Sequence, residues 1–181
     1  NIFQLGGDID GETTLDESGW SVSLSADGSI VAIGGYKNDG TTTNASDNRG
    51  HVRVYQRNVA NTTIAPIGWT QLGGDIDGEA AADQSGFSIA LSADGTIVAI
   101  GANQNDGNAG TSTDNRGHVR VYQRNTGNTT IAPIGWTKLG GDIDGEAASD
   151  NSGDSVAISS DGTNIIVAIG SNKNDGTAGS D

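Results

Sequence analysis

The residues best placed to do chemistry are carboxylates, and they recur. The pattern Asp-x-Asp-x-Glu-x-x-x-Asp occurs as Asp8, Asp10, Glu12 and Asp16, again as Asp75, Asp77, Glu79 and Asp83, and again as Asp142, Asp144, Glu146 and Asp150. Acids at alternate positions of a curled loop can turn inward on one hard cation, since Ca2+ takes about 6–8 oxygen ligands. Calcium is therefore the one cofactor these loops suggest. A second reading stands beside it. The same acids suit solvated turns, in which Asp16, Asp83 and Asp150 brace the loop by accepting backbone hydrogen bonds. Paired carboxylates also permit glycosidase chemistry in principle. However, acids that return in every copy at one offset serve the repeat, whereas a catalytic pair needs two distinct environments. The two histidines, His51 and His118, are repeat equivalents, and no Ser-His-Asp set can be assembled. A non-enzymatic role is expected.

The loops are placed by an internal repeat. Leu-Gly-Gly-Asp-Ile-Asp-Gly-Glu begins at Leu5, Leu72 and Leu139, a period of 67 residues, and Asp47 to Tyr55 recurs unchanged as Asp114 to Tyr122. The chain divides into repeat 1 (1–71, with a lead-in over 1–4), repeat 2 (72–138) and a partial repeat 3 (139–181), which carries two extra residues near Asn164 and Ile165. Within a repeat the hydrophobic period is 2. Phe87, Ile89 and Leu91 alternate with smaller residues, Ala93-Asp94-Gly95 reads as a hairpin turn, and Ile97 to Ala102 is apolar on both faces, as a strand between layers would be. His118 to Arg124 alternates again, and Ile134 to Leu139 carries the repeat's Trp. The expected fold is all-β: tandem four-stranded antiparallel blades of the β-propeller type, present as an incomplete propeller or a blade array. On the third strand His51, Arg53, Tyr55 and Arg57 share a face, as do His118, Arg120, Tyr122 and Arg124. That face is expected to be solvated, with ion pairs to a neighbouring repeat's acidic loop as the alternative.

Ser85-Gly86-Phe87-Ser88-Ile89-Ala90-Leu91, followed by Val98-Ala99-Ile100-Gly101-Ala102-Asn103, resembles the FG-GAP repeats of integrin α-subunit propellers. The Asp-Ile-Asp-Gly-Glu and His-Val-Arg-Val-Tyr segments resemble the FG-GAP-like repeats of microbial and algal surface proteins more closely. The name-giving motifs depart from the pattern: Phe-Gly stands as Gly86-Phe87, Gly19-Trp20 and Gly153-Asp154. FG-GAP calcium loops lie between the two motif strands, whereas the acids here precede both. The resemblance implies an extracellular or cell-surface location and a structural or adhesive role.

Composition narrows the partners. The 181 residues hold 23 acids against 9 bases, a net charge of −14, and no cysteine. A field of that sign argues against nucleic acid and anionic membranes, and no apolar run is long enough to cross a bilayer. Without cysteine there is no disulfide framework or thiolate metal site. Asn44, Asn61 and Asn128 head sequons and are candidate N-glycosylation sites. The expected partners are other copies of the chain, assembled head to tail into a filament or ring, or further repeats of the same chain. A carbohydrate-binding propeller lectin is the alternative function, although Trp69 and Trp136 occupy one repeat position and suit a core.

Overall fold

The computed structural model describes residues 3–40, 46–107, 114–160 and 164–176, and all of its elements are β-strands. The first antiparallel sheet contains β1 (Ser21–Leu24), β2 (Ile30–Gly35), β3 (His51–Arg57), β4 (Trp69–Gln71) and β5 (Ile76–Asp77). The second repeats it with β6 (Ser85–Leu91), β7 (Ile97–Ala102), β8 (His118–Arg124), β9 (Trp136–Lys138) and β10 (Ile143–Asp144). The third holds β11 (Ser152–Ser160) and β12 (Ile165–Ser171).

Local chemistry explains the hairpins. Ser92 Oγ donates to Asp94 Oδ1 (2.7 Å) and accepts from the Ile97 amide (3.0 Å), while Gly95 takes a φ of +70°. Ser25, Asp27 and Gly28 build the same turn between β1 and β2. A left-handed residue at this point is easiest for glycine, which has no Cβ to collide with the backbone.

Each of the first two sheets carries one strand more than the four read from the sequence. β5 lies inside the acidic stretch and adds to the edge of β3, with His51 opposite Asp77 and Val52 opposite Ile76. It shares that edge with β4, which pairs farther along β3, from Tyr55 to Arg57. The first residues of repeat 2 thus complete the sheet of repeat 1. β10 does the same for β8 in the next sheet.

The sheets stack face to face, β6 packing on β1 and β2 and then β11 on β6 and β7. Period-2 alternation sends alternate residues of β7 to two different cores. Val98 and Ile100 join Ala32, Val52, Val54 and Ile76 of the first sheet, along with Ile89, Leu91, Tyr122 and Trp136. Ile97 and Ala99 face the other way with Val119 and Val121, against Val156, Ile158, Val167 and Ile169. The expectation that Ile97 to Ala102 lies between layers is met, since the whole strand is buried.

Successive sheets come especially close around Gly34 and Gly101. Ser21 Oγ donates to the Gly86 carbonyl (2.6 Å), and Ser88 Oγ donates to the Gly153 carbonyl (2.6 Å). A methyl group on Gly34 or Gly101 would overlap those same carbonyl oxygens. Gly101→Ala is accordingly expected to destabilise the chain by about 1–3 kcal/mol, the usual cost of overpacking. Urea denaturation checks this, and a wild-type midpoint would show that the sheets can separate freely here.

Candidate functional site

β3 is the strand on which the site is built. Val52 and Val54 enter the core, so His51, Arg53 and Tyr55 must emerge on the opposite face. That face is not solvated. His51 is 1% exposed, and Arg53 and Tyr55 are also buried, with only Gln56 and Arg57 exposed at the strand's end. The expectation of an open outer face is corrected by the acidic loop of residues 8–18, which lies over the strand. Arg53 Nη2 donates to the Asp10 carbonyl (2.6 Å) and, at longer range, to Ser18 Oγ (3.4 Å). The polar face became an interior seam because the loop that precedes the sheet folds back onto it.

Here three groups from two repeats converge. Ligand atoms of Glu12, His51 and Asp75 lie within 4.8 Å of one another, as do those of Glu79, His118 and Asp142. The first acid comes from the loop before the sheet, the imidazole from its third strand, and the second acid from the turn into β5. Pairing of β5 with β3 puts Asp75 across from Arg53 on the histidine's side, because Ile76 points into the core with Val52. His51 Nδ1 stands 3.7 Å from Glu12 Oε2, too far for a hydrogen bond, and neither ring nitrogen has a hydrogen-bond partner. Burial, reinforced by the Arg53 charge, pushes His51 down to about 4, so the ring is neutral at pH 7. Burial and the neighbouring Asp75 raise the Glu12 carboxyl.

The two copies differ in how their acids are balanced. Arg120 reaches both carboxylates of its cluster, pairing with Glu79 and binding Asp142 through two hydrogen bonds (2.8 and 2.9 Å). Lys138 Nζ adds a third contact to Asp142 (2.8 Å). Arg120 is the leading reason that Asp142 is held far below the usual carboxylate range. In the first copy Arg53 turns to the Asp10 carbonyl, and its Nε has no partner. Gln71 replaces the lysine and donates to Asp75 (2.6 Å).

The acids expected to act as sets within one loop are instead distributed. Among the described residues, no group of metal-ligand geometry is formed by Asp8, Asp10, Glu12 and Asp16 alone, or by either of the corresponding sets. Asp8 accepts from Gln4 (2.8 Å), and Asp77 sits on β5, where burial raises its carboxyl. Asp144 stands 3.9 Å from His118, and Glu146 is exposed. Asp16, Asp83 and Asp150 are the buried braces of the turn reading. Each accepts the amide three residues before it, from Thr13 (2.8 Å), Ala80 (2.9 Å) and Ala147 (2.9 Å). Both chain neighbours of each aspartate are left-handed, for example Ala82 at +67° and Gln84 at +58°. The local strain is held by the buried carboxylate.

Asn44 lies outside the described residues. The other two sequon asparagines organise their loops. Asn128 Nδ2 donates to the carbonyls of Ile131 (2.8 Å), Pro133 (3.1 Å) and Trp136 (2.7 Å), while its Oδ1 accepts from the Ile131 amide. Asn61 makes the equivalent set. A sugar attached at Nδ2 has to displace part of that network. The recurrence of this Asn five residues before each Pro was the available sequence signal for its loop role. The histidines' part in the seam had no such signal, because it depends on the unread strand β5.

No family model matches the chain, and no curated protein matches it significantly.

One difference between the loops is open to measurement. Asp16 also accepts from the Thr13 hydroxyl (2.5 Å), where the later copies have Ala80 and Ala147. Burial works to raise the Asp16 carboxyl, but the Thr13 and Asn38 hydrogen bonds outweigh it and leave it lowered. At Asp83 burial prevails and the carboxyl is raised. Thr13→Ala is expected to cost about 1.5–3 kcal/mol at pH 7, the range for a hydrogen bond to a charged group. A lowered native value gives stability that is present above the ordinary carboxyl value of 3.8 and is lost as pH falls through the native one. The gap between wild type and variant should therefore narrow at pH 3 in urea melts. A gap equal at pH 7 and pH 3 would contradict the assignment.

Proposed function

We propose that the chain is a non-catalytic structural or adhesive repeat protein of the extracellular space or cell surface. It is built from FG-GAP-like propeller-type blades, and its work is to pack repeat upon repeat. One observation carries this reading: equivalent positions are buried or exposed according to whether a neighbouring repeat covers them. Ile89 and Leu91 are 8% and 7% exposed against the first sheet, whereas Val22 and Leu24, at the same places in repeat 1, are 63% and 60% exposed. The far end of the stack behaves alike. Ile166 is 66% exposed, and its counterpart Ile97, covered by the third sheet, is 6% exposed.

These are matched faces rather than scattered surface apolar residues. Ser21 and Ser23 already bind the second sheet, which directs Val22 and Leu24 the opposite way. The natural cover for Val22 and Leu24 is a face like that of Ala32, Val52 and Val54, since this is what Ile89 and Leu91 pack on. Another repeat of the same kind supplies it, from this chain or a second copy. Such heterologous contacts close into rings or run on as filaments.

The buried Trp136 favours assembly over sugar binding. Trp136 is fully buried, and its Nε1 donates to the Leu72 carbonyl of the preceding turn (2.8 Å), as Trp69 Nε1 does to Leu5 (3.2 Å). These two indoles tie each repeat to the turn before it, although Trp69 is only partly buried and lines an open pocket, and Trp20 is 53% exposed beside Tyr36 and Phe87.

Sedimentation velocity of the 181-residue chain provides the test. Self-association is expected, and Val22→Asp with Leu24→Asp should abolish it without loss of the folded β signal in circular dichroism. A folded wild-type chain that remains monomeric at high concentration would overturn the assembly reading.

A further inference from the structure

We propose that the first junction, Glu12–His51–Asp75, binds a divalent transition ion such as Zn2+, and that the second junction carries Arg120 and Lys138 in place of one. The donors are one imidazole nitrogen and two carboxylates whose ligand atoms lie within 4.8 Å of each other. A borderline ion accepts that set, whereas Ca2+ favours oxygen alone. The second, independent observation is His51 itself. The ring is 1% exposed, both its nitrogens lack hydrogen-bond partners, and Nδ1 faces Glu12 from 3.7 Å. A buried polar group in that state is costly unless something satisfies it, and a metal bond would satisfy Nδ1, the nitrogen that faces the acids.

The internal copy supplies the contrast. At the second junction two acids meet two cations, and Arg120 lies in contact with both carboxylates. At the first, the lysine position is Gln71, and Arg53 is engaged with the Asp10 carbonyl and Ser18. Glu12 and Asp75 thus face each other with one basic residue fewer nearby. A divalent ion there would neutralise the pair and tie repeat 1 to the first turn of repeat 2, across the seam that β5 closes.

Co2+ and Zn2+ titrations of the full 181-residue chain test the site. One equivalent of Co2+ should bind with visible d–d absorption, and Zn2+ should displace it while excess Ca2+ does not. Glu12→Gln and Asp75→Asn should each lose the absorption, and Glu79→Gln should leave it intact. Gln71→Lys, which copies the second junction, should lose it as well. Glu12 is exposed at the rim, so Glu12→Gln keeps the readout interpretable where a His51 variant fails to fold, as its circular dichroism melt verifies. The proposal is overturned by an absence of binding, by absorption that survives Glu12→Gln and Asp75→Asn, by displacement with Ca2+, or by two equal sites of which Glu79→Gln removes one.

Discussion

Among the described residues, no sheet closes its own core. A flat, strongly apolar strand such as β7 has two hydrophobic faces, and burying both requires a sheet on either side. The remaining features follow from that constraint. Serines and glycines occupy the contact between sheets because the backbones must come close enough for Ile89 and Leu91 to reach Ala32, Val52 and Val54. The first residues of one repeat finish the sheet of the one before, which ties neighbours through the chain as well as through packing. Stability then depends on neighbours more than on any single unit.

Much of this was legible in the residues, and what was not has a definite cause. Period-2 alternation locates β6 and β8, an unbroken apolar run locates β7, and the Ser-x-Asp-Gly turns follow from glycine's conformational freedom. β5 and β10 escaped notice because two residues inside an acidic run show no period. They form only because the edge of β3 or β8 offers unpaired backbone groups beyond the reach of β4 or β9. The linear pattern presents His51 and Arg53 as solvated, since nothing in it shows a loop some 40 residues earlier lying across the strand. The bracing role of Asp16, Asp83 and Asp150 was readable, because an acid at a fixed place in a turn has a local job.

The seam shows how a repeat can diverge without losing its fold. Its polar groups are interior, so each must be neutralised or paired at the cost of destabilisation otherwise. Asp142 satisfies that demand with Arg120 and Lys138, and Asp75 with the uncharged Gln71. A single change of residue at the end of the fourth strand thus alters the charge balance of a buried cluster while every strand remains in register. The acidic loops differ in the same way: hydrogen bonds from Thr13 and Asn38 keep the Asp16 carboxyl lowered against its burial, whereas at Asp83, which faces Ala80, burial prevails and raises it. The backbone scaffold is common to the copies. Their electrostatics are set one side chain at a time, and chemical differences between otherwise equivalent repeats arise at the seam.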